Sequence, residues 1–113
     1  MHELSLCEGI LQMLEGQARS GGFSRVLRVR LEIGALSCVE PEAMEFCFEV
    51  VSRGTLAEGA RLEMVRTPAR AWCATCQQQV DIHERFDPCP RCGDEWVVPT
   101  TGDELRVKEL EVQ

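Results

Sequence analysis

Two Cys-x-x-Cys pairs, Cys73/Cys76 and Cys89/Cys92, constrain the fold of this chain more than any other feature. Twelve residues separate the pairs, and Gly93 directly follows the second one. Four thiolates spaced in this way can surround one Zn²⁺, which prefers a closed tetrahedral set of sulfur ligands at structural sites. The segment holds few apolar residues, so we expect it to depend on the metal for folding, as a zinc-ribbon-like unit does.

Other interpretations of the cysteines are less well supported. A thioredoxin-like dithiol needs one such pair at a strand-to-helix turn, and neither pair opens an obvious helix. A catalytic zinc keeps an open coordination position, which four cysteines would fill. The count of seven cysteines excludes a fully paired disulfide framework.

The remaining cysteines and the histidine of the insert have two interpretations each. Cys7 and Cys47 fall on apolar helical faces and are expected in the core, where a free thiol packs as a small hydrophobe. Cys38 lies in a loop, either as filler or as an accessory ligand. His83 lies between the two pairs, either as a solvated loop residue or as a replacement ligand.

The rest of the chain alternates helical and strand periodicities. The spacing of apolar residues predicts a helix over residues 4–18, or from about Glu3, and a second helix from Pro41 to Gly54. Alternation predicts a strand ending at Gly34 with Leu27, Val29, Leu31 and Ile33 buried. Further strands are expected at about residues 60–67 and 104–113.

This order predicts an α/β (α+β) fold in which a small three-stranded sheet is accompanied by two helices. The cysteine-rich insert interrupts that frame as a zinc-ribbon-like domain with four cysteine ligands. The expected domains are therefore residues 1–70 together with 99–113, and residues 71–98.

Composition excludes several classes of function. The formal charge is −7 at pH 7, whereas proteins that coat nucleic acid need clustered Lys and Arg. No segment approaches the roughly 18 consecutive apolar residues of a membrane span, and the first residues lack a signal-peptide pattern. No phosphate-binding Gly-x-x-x-x-Gly-Lys motif or catalytic constellation is present. We expect a cytoplasmic protein that is not an enzyme and binds neither nucleic acid nor membrane.

The chain begins Met-His-Glu, which is a potential chelating sequence. The α-amino nitrogen of Met1 and the backbone and imidazole nitrogens of His2 can close two fused chelate rings, and Glu3 can add a nitrogen or an oxygen. Such a set suits Ni(II) or Cu(II) better than Zn²⁺ or Mg²⁺. Taken alone, an N-terminal histidine is more often incidental, so the rest of the chain must decide.

The segments MHELSL, LEIGALS, CATC…CPRC and GDELRVKELEV occur in this order and span nearly the whole chain. Together they resemble the hydrogenase nickel-incorporation proteins of the HypA/HybF family. The resemblance implies a nickel metallochaperone that delivers Ni(II) to the large-subunit precursor of [NiFe]-hydrogenase together with the GTPase HypB. Such a protein is expected to be a monomer or a weak homodimer.

The same resemblance implies the ligands. Nickel would be bound by Met1, His2 and Glu3, with Glu40 as a further candidate, and structural zinc by Cys73, Cys76, Cys89 and Cys92. Members that also serve urease carry histidines beside the cysteine pairs. Here the flanking residues are Trp72, Gln77, Pro88 and Gly93, which argues against urease.

Two other functions compete with this one. The first is a zinc-ribbon protein- or nucleic-acid-binding accessory module, which would need a basic face for a phosphate partner; the insert is acidic. The second is a dithiol redox enzyme, which would need an exposed thiolate that zinc would mask. Arg25, Arg28 and Arg30 on the first strand can face either an acidic partner or solvent.

Overall fold

The computed structural model describes residues 2–113, so the nickel ligand predicted at Met1 lies outside the described residues. Two helices and six strands follow one another in the described chain. They are α1 (His2–Gly21), β1 (Val26–Gly34), α2 (Pro41–Ser52), β2 (Arg61–Thr67), β3 (Ala69–Cys73), β4 (Gln78–Ile82), β5 (Val98–Thr101) and β6 (Leu105–Val112).

The two helices form where apolar periodicity predicts them. In α1 the side chains of Cys7, Ile10 and Leu14 are buried, one helical turn apart. The second helix starts with Pro41 after the extended residue Glu40 and buries Met44, Cys47 and Phe48. Pro suits this first position because its missing N–H would have no partner within the helix. These faces supply the helical part of one apolar core.

The first sheet has the strand order β2-β1-β6, so β1 lies in the middle. Val29, Leu31 and Ile33 are buried as the alternation predicts. The prediction for Leu27 was wrong: its side chain is 39% exposed, and Val26 is buried in its place. The alternation of buried residues breaks between Val26 and Val29, and the backbone N–H of Val26 donates to the carbonyl of Leu56 where the strand begins.

A second three-stranded sheet, with the order β4-β3-β5, lies in the cysteine-rich region and ends its strand β3 at Cys73; its strands were not predicted. The strands β3 and β4 form an antiparallel hairpin in which Cys73 pairs with Gln78. Val80, Ile82, Ala69 and Ala71 form a small apolar cluster with the cysteines. Pro68 separates β2 from β3, because it interrupts the ladder of backbone hydrogen bonds.

The chain forms two compact units. The first comprises residues 1–31, 39–64 and 107–113, and the second comprises residues 32–38 and 65–106. The second unit contains the insert expected at 71–98 but extends beyond it, because β3 begins at Ala69 and β5 continues to Thr101. No helix among the described residues is long and apolar enough to cross a membrane.

Gly34 and Gly102 permit a close backbone approach within the second unit. A Cβ atom at Gly34 would overlap the carbonyl of Gly102, and Gly102 itself has a φ of +118° and lies against Ala69. Only glycine adopts this conformation without strain. The LEIGALS segment therefore requires its glycine for packing.

Candidate metal centres

The four cysteines of the insert converge in the second unit. Their Sγ atoms all lie within 4.8 Å of one another. The Sγ atoms of Cys73 and Cys92 are 3.6 Å apart, and those of Cys76 and Cys89 are 3.9 Å apart. A tetrahedral zinc with Zn–S bonds of about 2.3 Å requires sulfur atoms roughly 3.8 Å apart. The arrangement fits a tetrahedral ion with four sulfur ligands.

Two similar turns present these thiols. Cys73 ends β3, and the N–H of Cys76 points back to its sulfur at 3.5 Å. In the second turn the N–H of Arg91 points to the sulfur of Cys89 at 3.4 Å. The residue after each pair has a positive φ, 53° at Gln77 and 79° at Gly93. The glycine at position 93 made a positive φ predictable from the sequence at the second turn. The glutamine at position 77 did not indicate one at the first.

The cysteine thiols of this cluster differ in pKa, and therefore in how readily they lose the proton that a metal replaces. Burial raises the pKa of the Cys89 thiol, but the N–H groups of Cys92 and Arg91 outweigh it, so that this pKa falls to about 7. A hydrogen bond with Cys92, together with burial, raises the pKa of Cys76 to about 12. Protons therefore compete with a cation for this site, and Cys89 ionises more readily than Cys76.

Asp94 connects the two cysteine turns. Its carboxylate accepts hydrogen bonds from the Thr75 hydroxyl at 2.7 Å and from the N–H of Trp96 at 3.0 Å. The Cys89 N–H donates to the backbone carbonyl of Asp94. Sequence reasoning did not identify this residue, since its role depends on a contact across the fold.

His83 is not part of the cysteine cluster. It lies in an exposed turn, where its backbone N–H donates to the carboxylate of Asp87 at 3.0 Å. Among the residues that the structure describes, the four cysteines form the only group of three or more His, Cys, Asp or Glu ligands close enough to share an ion. This agrees with the interpretation of His83 as a loop residue.

The remaining cysteines lie elsewhere. Cys7 and Cys47 are buried as predicted, and the Cys7 thiol donates to the carbonyl of Met44 at 3.5 Å. Burial raises the pKa of Cys7 to about 11, which keeps it protonated. Cys38 is exposed, with a φ of 59°. None of the three adds a thiol to the cluster.

The N-terminal residues form a more open arrangement in the first unit. The side chain of His2 is 59% exposed, and its Nδ1 lies 3.9 Å from Oε2 of Glu3. The same oxygen accepts the backbone N–H of Glu40, which precedes α2, at 3.3 Å. Glu3 and Glu40 are thus neighbours although 37 positions separate them in the sequence. This contact concerns the backbone of Glu40, and the sequence alone did not reveal it.

The arginines of the first strand are paired within the first unit. Arg28 contacts Glu63 at 2.7 Å, and Arg30 contacts the same carboxylate at 3.2 Å. The hydrogen bond from Arg28 lowers the pKa of Glu63. Arg25 donates to the carbonyl of Glu58 at 3.0 Å. The structure therefore favours a solvated, internally paired sheet face over one that is free for an acidic partner.

Known proteins resemble this one over its whole length. Residues 1–112 match the model of a family described as hydrogenase/urease nickel incorporation, metallochaperone, hypA. A protein of Acidithiobacillus ferrooxidans, named hydrogenase maturation factor HypA, is 58% identical over 113 residues that cover all of both chains. A protein of the same name from Azotobacter vinelandii is 57% identical, also over the full length of both.

Solved structures show the same fold. The solution structure of the Ni metallochaperone HypA from Helicobacter pylori aligns with a TM-score of 0.72 at 23% identity, over 97% of this chain and 96% of that chain. A second solution structure, described as that of HypA protein, aligns with a TM-score of 0.74 at 23% identity, over 100% of this chain and 97% of that chain.

Proposed function

Because the chain belongs to the HypA family of nickel metallochaperones, which act in hydrogenase maturation and are not enzymes, we propose that it binds Ni(II) at its N-terminus. The ion is then cargo, which the protein delivers to the large-subunit precursor of a [NiFe]-hydrogenase. The observation that carries this proposal is the pairing of an exposed His2 with a Glu3 carboxylate held at the start of α2.

The proposed nickel ligands are the α-amino nitrogen of Met1, the backbone and imidazole nitrogens of His2, and Glu3. Glu40 is a further candidate. Nitrogen-rich planar sets favour Ni(II), and binding through an amide nitrogen releases a proton. The hydrogen bond from the Glu40 N–H supports this set, because it holds Glu3 beside His2 before nickel arrives.

Exposure of the N-terminal set supports transfer to another protein. The imidazole of His2 is 59% exposed, so a receiving protein can reach a nickel ion there without unfolding the chaperone. A buried cage would bind nickel more tightly and release it more slowly. An open terminal site therefore suits a carrier.

We propose that Cys73, Cys76, Cys89 and Cys92 hold one structural Zn²⁺. The support is the approach of their sulfur atoms and the backbone N–H groups that point at them. Zinc bound there neutralises the thiolates and closes the second unit around a core that is otherwise small. Because all four positions of a tetrahedral ion are then filled, the zinc has no role as a catalyst.

The proposed partners follow from this activity. They are the large-subunit precursor and the GTPase HypB, which would supply the nucleotide hydrolysis for which this sequence has no phosphate-binding motif. We propose that the chain works in the cytoplasm as a monomer or weak homodimer. The absence of histidine beside the cysteine pairs supports a hydrogenase rather than urease as the recipient.

Metal titration of the zinc-loaded protein tests this function. We expect wild-type protein to bind one Ni(II) with near-micromolar affinity, about −8 kcal/mol. His2→Ala should weaken nickel binding at least about tenfold and leave the zinc content at one ion per chain. His83→Ala, which removes the other histidine, is the matched control and should bind nickel as wild type does. Equal nickel affinity in wild type and His2→Ala would refute the terminal site.

A further inference from the structure

An apolar cleft opens on the surface of the second unit, and none of the residues that line it is a proposed metal ligand. It has a volume of about 300 Å³ and is lined mainly by Phe86, Trp96, Val97, Val98 and Pro99. Phe86 is 93% exposed, Trp96 is 83% exposed and Val98 is 60% exposed. Large apolar side chains grouped in this way mark interaction sites more often than single exposed ones do.

The backbone holds Phe86 in solvent. The N–H of Asp87 donates to the carbonyl of Glu84, so Phe86 is the third residue of a turn. Its φ is 71°, a conformation that favours glycine or asparagine and is rare for a bulky aromatic residue. The Asp87 carboxylate fixes the turn by accepting the N–H groups of His83 and Glu84, both at 3.0 Å. An aromatic side chain here gains no burial within the chain.

The opposite wall of the cleft is also fixed. The carboxylate of Asp94 accepts the N–H of Trp96, and the backbone carbonyl of Asp94 accepts the N–H of Cys89. The indole is therefore presented next to the cysteine turns. These hydrogen bonds fix the backbone of the two segments that carry the rings, which reduces the entropy lost when a partner binds there.

The charges around the cleft indicate what can occupy it. Two charged residues line the cleft itself, the cation Arg85 and the anion Glu95, and the flanking residues add three further carboxylates, those of Glu84, Asp87 and Asp94. This sign repels phosphate groups of nucleic acids and of anionic membranes. It attracts cationic side chains, which also bind favourably over the face of an indole ring.

We propose that this cleft docks a basic segment of a partner protein, which inserts one bulky aliphatic side chain between Phe86 and Trp96 and places an adjacent Arg or Lys near Glu95. The apolar lining recognises the aliphatic group, and the surrounding carboxylates recognise the cation. The proposal does not depend on nickel binding, because the cleft lies in the second unit and none of its lining residues is a proposed ligand.

Selection from a displayed library of random dodecapeptides, with the zinc-loaded full chain as bait, tests this proposal. We expect the selected peptides to combine a bulky aliphatic residue with Arg or Lys. Their affinity should fall about tenfold or more for Phe86→Ala/Trp96→Ala, as for loss of an interface hot spot. It should fall several-fold for Glu95→Gln and with added salt. Phe46→Ala, which removes a 64% exposed aromatic residue from α2, is the matched control and should change nothing.

Several results would overturn the proposal. They are failure to enrich any peptide, selection of peptides without basic residues, and equal binding by the double variant. Tight binding of oligothymidylate or phosphatidylglycerol vesicles that requires both rings would assign the cleft to nucleic acid or membrane. Self-association lost in the double variant would assign it to a second copy. A zinc content of one ion per chain is the folding criterion for every variant. If Phe86→Ala/Trp96→Ala does not meet it, Trp96→Gln is measured instead.

Discussion

The two candidate metal centres differ in how much of each is assembled before an ion binds. In the second unit four sulfur atoms already lie within 4.8 Å of one another, and backbone N–H groups point at two of them. In the first unit His2 is largely exposed, and one hydrogen bond from Glu40 positions Glu3. One centre is built into a fold, and the other lies at the end of a helix.

In the proposed function, this difference corresponds to that between a resident zinc ion and a nickel ion carried as cargo. Structural zinc bound by thiolates contributes about 10–16 kcal/mol, which becomes folding free energy of the unit that holds it. Near-micromolar nickel binding is worth about 8 kcal/mol and leaves the ion exchangeable. Folding of the two units can be measured separately, because both helices lie in the first unit and the β3–β4 hairpin lies in the second.

The largest effect should come from breaking the cysteine centre. Cys73→Ser removes a buried ligand, so we expect loss of zinc and unfolding of the second unit, with the helices retained. The backbone amides of β3 and β4 should lose their protection from hydrogen exchange, while the helical circular dichroism stays close to wild type. Cys38→Ser is the control and should keep its zinc. A Cys73→Ser protein with full zinc and native amide protection in β3 and β4 would show that the sulfur of Cys73 is dispensable.

A substitution in the core of the first unit should destabilise that unit and leave the second unit folded. Leu14 is fully buried in α1, and Leu14→Ala should destabilise that unit by about 2–5 kcal/mol through lost burial and a residual cavity. The midpoint of the helical signal should fall by roughly 10 °C or more. Zinc content and the amide protection of β3 and β4 should not change at 25 °C. Loss of zinc in this variant would mean that the two units do not fold separately.

A smaller effect is expected from moving the amino terminus. Adding Gly-Ser before Met1 shifts the α-amino nitrogen away from His2 and removes one chelate ring, so nickel affinity should fall about tenfold or more, or about 1.4 kcal/mol. The same two residues added after Gln113 are the control. Undiminished nickel binding by the N-terminal extension would exclude the Met1 nitrogen as a ligand.

The smallest effect concerns pH and the first unit. The hydrogen bond from Arg28 lowers the pKa of Glu63 in the folded state, so the ionised carboxylate stabilises that state. This contribution is present above the ordinary pKa of 4.5 and is lost as pH falls through the lowered value. Glu63→Gln should therefore unfold at a lower temperature than wild type at pH 7, and the difference should shrink in acid. A difference that grows in acid would contradict this assignment.

Periodicity predicted both helices and β1 because each of these elements buries one face, whereas β2 and β6 alternate only between half-buried and exposed residues over part of their length. The strand Val98–Thr101 escaped prediction because all four residues are exposed and one is Pro99. Its extended form depends on pairing with β3, where the register shifts between Arg70 and Ala71. Leu27 was assigned to the core from alternation alone, and that alternation breaks at the start of β1, where Val26 is buried instead.

The cysteine centre was predictable because its spacing has few other uses. The N-terminal ligand set could not be predicted from its own sequence, since three residues carry little specificity. It was inferred from the resemblance of the whole chain to the family. The contact between Glu3 and the Glu40 backbone joins distant segments, and the left-handed conformation of Gln77 has no compositional signal. Such features depend on the tertiary fold rather than on local pattern.

X-ray absorption at the zinc and nickel edges of one doubly loaded sample tests the division of labour between the two centres most directly. We expect four sulfur neighbours at about 2.3 Å around zinc. Around nickel we expect only nitrogen and oxygen neighbours. In His2→Ala the nickel signal should be lost and the zinc signal unchanged. Sulfur in the nickel shell, or nickel in place of zinc at the cysteines, would contradict it.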